Sequence, residues 1–241
     1  MNAANFDEAR RRLVYPLDYP TLEEARAGAE LIAEHVGVLK VGLELFVRVG
    51  PAALALGRQL GCEVFLDLKL HDIPATVDGA VASAISHGVR YLTVHATGGQ
   101  KMLEAAADRV EKEQSHLALL AVTVLTSLDE SDLRATGVSF PPNEQALRLA
   151  VLARKSGIRG MVSSVAEVSM LRSELGPDVV LVTPGIRPAG AGTQDQKRVG
   201  TPAQAMAAGS SLLVVGRPIR EASDPRAAAE AIRREVAEAL A

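Results

Sequence analysis

Eight short apolar segments recur along the 241-residue chain, separated by stretches whose apolar residues have helical spacing. Most of these segments are continuously apolar, which is typical of parallel strands covered on both faces. The predicted strands are Leu13–Asp18, Val38–Gly42, Glu63–Lys69, Tyr91–His95, Leu117–Leu125, Gly160–Ser163, Val179–Thr183 and Leu212–Gly216. Eight strands close a parallel barrel, so the pattern predicts an α/β fold, a single (β/α)8 TIM barrel over residues 1–241.

Helix-start signals follow several of these strands. Thr21-Leu22-Glu23-Glu24 reads as a capping box, Asn143 as an N-cap, and Asp224-Pro225 as a cap followed by proline. A further helix is predicted over Ile73–His87. Pro16 conflicts with the first strand because proline has no N–H for the ladder, so that strand must be short or bulged. An open doubly wound sheet with the same element order is the alternative architecture.

Composition excludes several classes of protein. The formal net charge of −3 offers no electrostatic basis for binding nucleic acid or an anionic membrane. No apolar run approaches the roughly 20 residues that a membrane-spanning helix needs. A single cysteine, Cys62, forms no internal disulfide, and the charged segment before Leu13 does not resemble a signal peptide. We therefore expect a cytoplasmic protein.

Charged residues gather where the second and third predicted strands end. Asp67 and Lys69 are two residues apart and share one strand face, and Lys40 ends the neighbouring strand. Each ammonium group would hold the intervening carboxylate ionised. The strand ends of an α/β barrel form its active site, although an ion network at the rim would look similar. Asp72 follows closely, and a helix N-cap is its simpler interpretation.

The last predicted strand runs into Gly216-Arg217-Pro218. A glycine permits close backbone approach, and a guanidinium beside a helix start binds phosphate, although an ordinary strand-to-helix turn is the alternative. The Gly-rich connection of residues 184–200 is long for so compact a chain and suggests a closing lid, with disordered filler as the alternative.

No motif indicates a metal or an organic cofactor. The five histidines show neither His-x-His nor His-Glu-x-x-His spacing, and neither a Walker loop nor a Gly-x-Gly-x-x-Gly sequence is present. A Schiff-base aldolase using Lys69 or Lys40 would also need no metal, but the flanking carboxylates keep an amine protonated.

Taken together, the motifs resemble the bacterial orotidine 5′-phosphate decarboxylases over nearly the whole chain. Pro16, where that family more often has a small residue, is the visible departure. The segments that carry the resemblance are Leu17-Asp18-Tyr19-Pro20, Lys40-Val41-Gly42, Asp67-Leu68-Lys69-Leu70-His71-Asp72-Ile73-Pro74-Ala75-Thr76, Val124-Leu125-Thr126-Ser127, Thr183-Pro184-Gly185-Ile186-Arg187-Pro188, Asp195-Gln196 and Val215-Gly216-Arg217.

The resemblance implies a homodimer with shared sites, no cofactor and no metal. In it, Lys69 protonates the C6 carbanion left when orotidine 5′-monophosphate loses CO2, and Asp67 faces the substrate carboxylate. Lys40 supports both and reaches the ribose. The other implied contacts are Asp18 with ribose; Thr126 and Ser127 with the pyrimidine; Gln196 with base and phosphate; Arg187, Gly216 and Arg217 with phosphate; and Asp72, Ile73 and Thr76 with the neighbouring subunit's site.

Beside the Schiff-base aldolase, two further rival functions stay open at this point. A Mg²⁺-dependent sugar-phosphate decarboxylase or synthase shares the Asp-x-Lys-x-x-Asp motif, but that branch typically carries a glutamate at the end of strand two, where this chain has Lys40. A barrel that only binds a nucleotide is the non-enzymatic alternative, and the full set of charged positions argues against it.

Overall fold

The computed structural model describes residues 2–188 and 200–241, and it shows a closed parallel barrel. The strands pair in sequence order, each with the next, and the last with the first. They are β1 Leu13–Pro16, β2 Val38–Gly42, β3 Glu63–Leu70, β4 Tyr91–His95, β5 Ala118–Val122, β6 Gly160–Val162, β7 Val180–Thr183 and β8 Leu212–Val214. The predicted (β/α)8 barrel is confirmed, and the open sheet is excluded because β1 pairs with both β2 and β8.

Helices lie between consecutive strands and cover the outside of the barrel. Two 3-10 turns, Gly50–Leu54 and Ala96–Gly98, complete the connections. The α-helices are α1 Ala3–Arg12, α2 Leu22–Ile32, α3 Leu43–Val49, α4 Ala55–Leu60, α5 Pro74–Ser86, α6 Gln100–Lys112, α7 Glu130–Ala135, α8 Pro142–Lys155, α9 Val165–Leu175, α10 Pro202–Ala208, α11 Arg217–Arg220 and α12 Pro225–Ala239.

Apolar residues are buried on both faces of the strands, which explains the continuous apolar runs. One cluster fills the barrel interior, and a larger one lies between the barrel and the helices. The interior cluster consists of Val14, Val38, Phe65, Leu120, Val182 and Leu212. Among the described residues, no helix is long and apolar enough to cross a membrane.

Pro16 is the last residue of β1, so the predicted conflict is resolved by a short strand. On the β2 side, the Leu13 carbonyl accepts from Gly37 and the Leu17 N–H donates to the Lys40 carbonyl. Pairing with β8 extends only to Val14. Because strand residues alternate in the direction of their hydrogen bonds, the missing N–H of Pro16 falls on the β8 side, where the ladder has already ended.

Of the three predicted helix-start signals, the cap at Asp224 is confirmed, the capping box at Thr21 is half formed, and the cap at Asn143 is wrong. Thr21 accepts a hydrogen bond from the Glu24 N–H, and Asp224 accepts one from the Ala227 N–H. The prediction that Asn143 caps α8 is wrong, because the helix begins at Pro142. Proline at the first helical position has its backbone φ already set for a helix, and this moves the start one residue upstream of Asn143.

Candidate active site

Charged side chains from three neighbouring strands meet at the carboxyl end of the barrel. The Asp67 carboxylate accepts a hydrogen bond from Lys69 Nζ at 2.8 Å and lies 3.3 Å from Lys40 Nζ. Lys40 Nζ also lies 3.5 Å from the Asp18 carboxylate. The predicted line of alternating charges is therefore present, and it extends from Lys69 through Asp67 and Lys40 to Asp18.

A break in the ladder between β3 and β4 places Lys69 in this line. Leu66 pairs with Leu92, but the next pair is Leu70 with Val94, so β3 has more residues than its partner over this stretch. Lys69 lies among the extra residues of β3 and has a φ of 51°. This is in the left-handed region that residues with a side chain rarely adopt. Backbone strain of this kind concentrates at functional sites.

The buried Thr93 hydroxyl stabilises both sides of this irregularity. It accepts a hydrogen bond from the Lys69 N–H at 2.9 Å and donates one to Asp67 Oδ1 at 3.0 Å. One side chain thus fixes the bulged backbone and the central carboxylate together. We did not predict Thr93 as a site residue, and its signal in the sequence was slight: a polar residue two positions before the end of a buried strand.

The surroundings of Asp67 keep it ionised. Burial by itself raises the pKa of this carboxyl group. The charges of Lys40 and Lys69, with the hydrogen bonds from Lys69 and Thr93, outweigh burial and hold the pKa below the ordinary aspartate value. At neutral pH the site therefore carries a fixed negative charge between two ammonium groups.

This lowered pKa predicts a specific loss of stability in acid. The ionised Asp67 stabilises the fold fully above the pKa of the unfolded chain, about 4, and that contribution is lost as the pH falls through the lower folded pKa. We expect the free energy of unfolding of wild type to exceed that of Asp67→Asn at neutral pH, and the difference to shrink below about pH 4. Urea denaturation at a series of pH values measures it, and a difference that grows in acid contradicts the assignment.

Replacing Thr93 by valine keeps the shape but removes the hydroxyl. We expect Thr93→Val to lower the free energy of unfolding by about 1–3 kcal/mol, because the Lys69 N–H and the Asp67 carboxylate each lose a partner. Thr93→Ser, which keeps the hydroxyl, is the matched control and should lose less. Urea denaturation of the three proteins tests this, and equal losses in both variants would count against the bridging role.

The charged line forms one wall of a cavity of about 450 Å³ at the mouth of the barrel. This volume lies in the range that accommodates a small-molecule ligand. Eight of the residues predicted for the site line the cavity: Asp18, Lys40, Asp67, Lys69, Thr126, Arg187, Gly216 and Arg217. The structure thus brings together side chains from both ends of the sequence around one space.

The remaining predicted residues lie elsewhere. Asp72, Ile73 and Thr76 are exposed at the start of α5, and Ser127 is exposed beside Thr126. None of these four lines the cavity. Gln196, and most of the segment interpreted as a lid, lie outside the described residues.

The interpretation of Asp72 as the N-cap of α5 is wrong, although its side chain does bond to the backbone beside the helix. Its carboxylate accepts a hydrogen bond from the Ile73 N–H at 2.7 Å, next to the first turn of α5. The N-cap position itself is held by Ile73, which has no capping side chain. Asp72 therefore stabilises the approach to the helix while its carboxylate stays exposed.

Arginines line the cavity around the end of β8. Arg187 is buried and donates to the Ile186 carbonyl at 3.0 Å, and Arg217 begins α11 immediately after Gly216. Gly216 has no room for a side chain, since a Cβ atom there would lie 2.7 Å from the Pro16 ring. This corner is cationic because it contains guanidinium groups, which attract an anion.

Two further polar residues line the cavity without having been assigned to it. Arg220 is the last residue of α11. Its side chain reaches the loop between β1 and α2, where it donates to the Asp18 carbonyl at 2.6 Å. Ser163 follows β6, and its buried hydroxyl has no hydrogen-bond partner in the described part of the chain.

His95 lies beside the charged line and packs against His71, with ring centroids 5.5 Å apart. Burial lowers the pKa of His95, and the neighbouring His71 and Lys69 lower it further against the opposing effect of Asp67. A neutral imidazole here adds no positive charge to the site at neutral pH. Among residues 2–188 and 200–241, no group of three His, Cys, Asp or Glu side chains is placed to hold a metal ion.

Comparison with known proteins gives a consistent result. The family model described as orotidine 5′-phosphate decarboxylase / HUMPS family matches residues 11–232. A curated Chromohalobacter salexigens protein named orotidine 5′-phosphate decarboxylase is 51% identical over 226 residues, which cover 94% of this chain and 96% of the relative. A Thermobifida fusca protein of the same name is 51% identical over 221 residues, covering 91% and 93%.

The fold agrees with these relatives. The crystal structure of orotidine 5′-phosphate decarboxylase from Lactobacillus acidophilus superposes with a TM-score of 0.83 at 40% identity, covering 94% of this chain and 99% of that one. Sequence and structure together therefore place this chain in the orotidine 5′-phosphate decarboxylase / HUMPS family.

Proposed function

We propose that this chain decarboxylates orotidine 5′-monophosphate to uridine 5′-monophosphate and CO2 in pyrimidine biosynthesis, with Lys69 protonating the C6 carbanion. The single observation that carries the proposal is the Asp67 carboxylate held between Lys40 and Lys69 on the wall of the cavity. Relatives that are 51% identical over almost the whole chain bear the name of this activity.

The fixed charges suit a reaction that creates a carbanion. The bond between C6 and the carboxylate breaks, its electron pair stays on C6, and CO2 leaves. Lys69 Nζ then gives a proton to C6. Asp67 beside the substrate carboxylate is a like-charge contact of about 4 kcal/mol at 4 Å and an effective dielectric constant of 20, and loss of neutral CO2 relieves it. The Lys69 ammonium attracts the developing anion before it transfers its proton.

The rest of the cavity matches the rest of the nucleotide. Arg187, Gly216 and Arg217 form a cationic corner for the 5′-phosphate. Asp18 and Lys40 would contact the ribose hydroxyls, and Thr126, with Ser127 beside it, would contact the pyrimidine. Gln196 would bridge the base and the phosphate. Phosphate binding far from C6 lets binding energy position the base for the chemical step.

We also propose a homodimer whose sites are shared. Three apolar side chains are exposed on the rim, in the segments that follow β2 and β3: Val47 (80% exposed), Ile73 (66%) and Leu43 (52%). Leu43 and Val47 are one helical turn apart on α3, which follows β2, and Ile73 follows the neighbouring β3. A second copy covering this rim would bury them and bring Asp72, Ile73 and Thr76 to its own cavity.

The Mg²⁺-dependent alternative is disfavoured by Lys40. Its ammonium lies 3.3 Å from Asp67 and 3.5 Å from Asp18, between the two carboxylates that would otherwise attract a divalent cation. A fixed positive charge at that point repels a metal ion.

A turnover assay tests the proposal directly. The purified protein should convert orotidine 5′-monophosphate to equimolar uridine 5′-monophosphate and CO2, with loss of the orotidylate absorbance, and the rate should not change with a chelator. No turnover overturns the proposed reaction. Activity lost on chelation and restored by Mg²⁺ favours the sugar-phosphate alternative, and borohydride trapping of a substrate adduct favours a Schiff base.

A further inference from the structure

Asp18 lies in the loop between β1 and α2, so the conformation of that loop sets where its carboxylate can reach. It follows β1 in the connection to α2, and its side chain is half exposed. Before it, Leu17 is buried and its N–H is bonded to the Lys40 carbonyl at 2.8 Å. The carboxylate contacts Lys40 only at 3.5 Å, which is too long for a good hydrogen bond. That contact alone therefore restrains the carboxylate only weakly.

Arg220 restrains the backbone of Asp18 directly. Its Nη1 donates to the Asp18 carbonyl at 2.6 Å across 202 positions of sequence. Its guanidinium also lies over the Tyr19 ring, 5.8 Å from the centroid, within the range of a cation–π contact. One side chain from the end of α11 thus holds two consecutive residues of the β1–α2 loop.

Tyr19 is itself firmly placed. Its hydroxyl is 2.6 Å from the hydroxyl of Tyr15, which is buried on β1. On the α2 side, Gly28 leaves the room that Tyr19 occupies, since a Cβ atom there would lie 2.1 Å from the Tyr19 oxygen. The ring therefore gives Arg220 a fixed surface to lie on.

We propose that Arg220 is a positioning residue that orients Asp18 toward the ligand and couples the phosphate corner to the Asp18–Lys40 end of the cavity. This inference rests on the proposed function and adds to it a residue that does not itself touch the reacting atoms. Arg220 belongs to the same helix as Arg217, so ligand phosphate at Arg217 and ligand ribose at Asp18 would be held by one connected unit.

A direct phosphate contact by Arg220 is the competing role. The guanidinium already uses Nη1 for the Asp18 carbonyl, and Nη2 lies 3.4 Å from the Glu221 carboxylate. Two of its five N–H donors and part of its charge are therefore engaged within the chain, which favours positioning over phosphate binding.

A double-mutant cycle on the intact protein separates these roles. Wild type, Arg220→Ala, Asp18→Ala and the double variant are compared by kcat/KM with orotidine 5′-monophosphate. We expect Arg220→Ala alone to lose roughly 10- to 100-fold, and the double variant to be no more than about twofold worse than Asp18→Ala. Arg234→Ala, which removes an exposed ion pair with Glu230 on α12, is the control and should match wild type.

Two results overturn the proposal: losses that multiply in the double variant, which indicate a direct contact with the ligand, or an unchanged kcat/KM in Arg220→Ala. A second measurement needs no turnover. Hydrogen exchange of a peptide covering residues 17–22 should be faster in ligand-free Arg220→Ala than in wild type and Arg234→Ala, and unchanged exchange also overturns the proposal. If the wild-type protein is inactive on orotidylate but Arg220→Ala still exchanges faster than wild type, the proposed reaction is refuted and the positioning role of Arg220 is not.

Discussion

Lys69→Ala should lose at least roughly 10⁴-fold in kcat while remaining folded, because it removes both the proton donor and the charge that attracts the carbanion. The fold should survive because Asp67 keeps two partners, Lys40 at 3.3 Å and the Thr93 hydroxyl at 3.0 Å. Initial rates with orotidine 5′-monophosphate, together with urea denaturation, measure both effects.

Two controls sharpen this prediction. Lys69→Arg retains a positive charge, but a guanidinium does not give up a proton at neutral pH, so it should also be inactive if proton transfer is the essential role. Lys101→Ala removes an exposed lysine at the start of α6 and should behave as wild type. Turnover close to wild type in Lys69→Ala would remove Lys69 as the proton donor.

Mixing two inactive variants should restore activity if the sites are shared. Asp72→Asn lacks the residue proposed to enter the partner's site, and Lys69→Ala lacks its own proton donor. In a mixed dimer, one site combines the intact Lys69 of one chain with the intact Asp72 of the other. Random exchange at equal amounts makes half of the dimers mixed, so recovery should approach about a quarter of wild-type activity.

The control for this experiment is an exchange between two Lys69→Ala preparations, which should recover nothing. Subunit exchange is verified separately with differently tagged chains. No recovery despite proven exchange contradicts a shared site and leaves Asp72 with the local role that the structure shows, an acceptor for the Ile73 N–H.

The architecture was predictable because it follows from local patterns. Eight buried strands between amphipathic helices leave few ways to cover both faces of a parallel sheet, and closure into a barrel is the common one. The errors were local. Asn143 was assigned as a cap because of its side chain, whereas the preset backbone of Pro142 starts α8. The short β1, by contrast, is one of the two outcomes that Pro16 predicted.

Site residues were predictable where they are charged residues at the carboxyl ends of predicted strands. Lys40, Asp67 and Lys69 were identified because parallel strands bring their carboxyl ends to one rim. Thr93 and Arg220 were not, because their roles arise from contacts across 24 and 202 positions of sequence. No local pattern signals that a particular hydroxyl or guanidinium will meet a particular backbone atom.

From the sequence alone came the barrel, the rim where its polar residues gather, and the alternation of charges along it, since apolar periodicity and strand direction are properties of neighbouring residues. Only the tertiary structure decided three features: the left-handed backbone at Lys69, the hydrogen bonds of Thr93 to Lys69 and Asp67, and the hydrogen bond from Arg220 to the Asp18 carbonyl. These depend on the register between strands and on atoms that become neighbours only when the barrel closes, and hydrogen bonds are sensitive to displacements of a few tenths of an ångström.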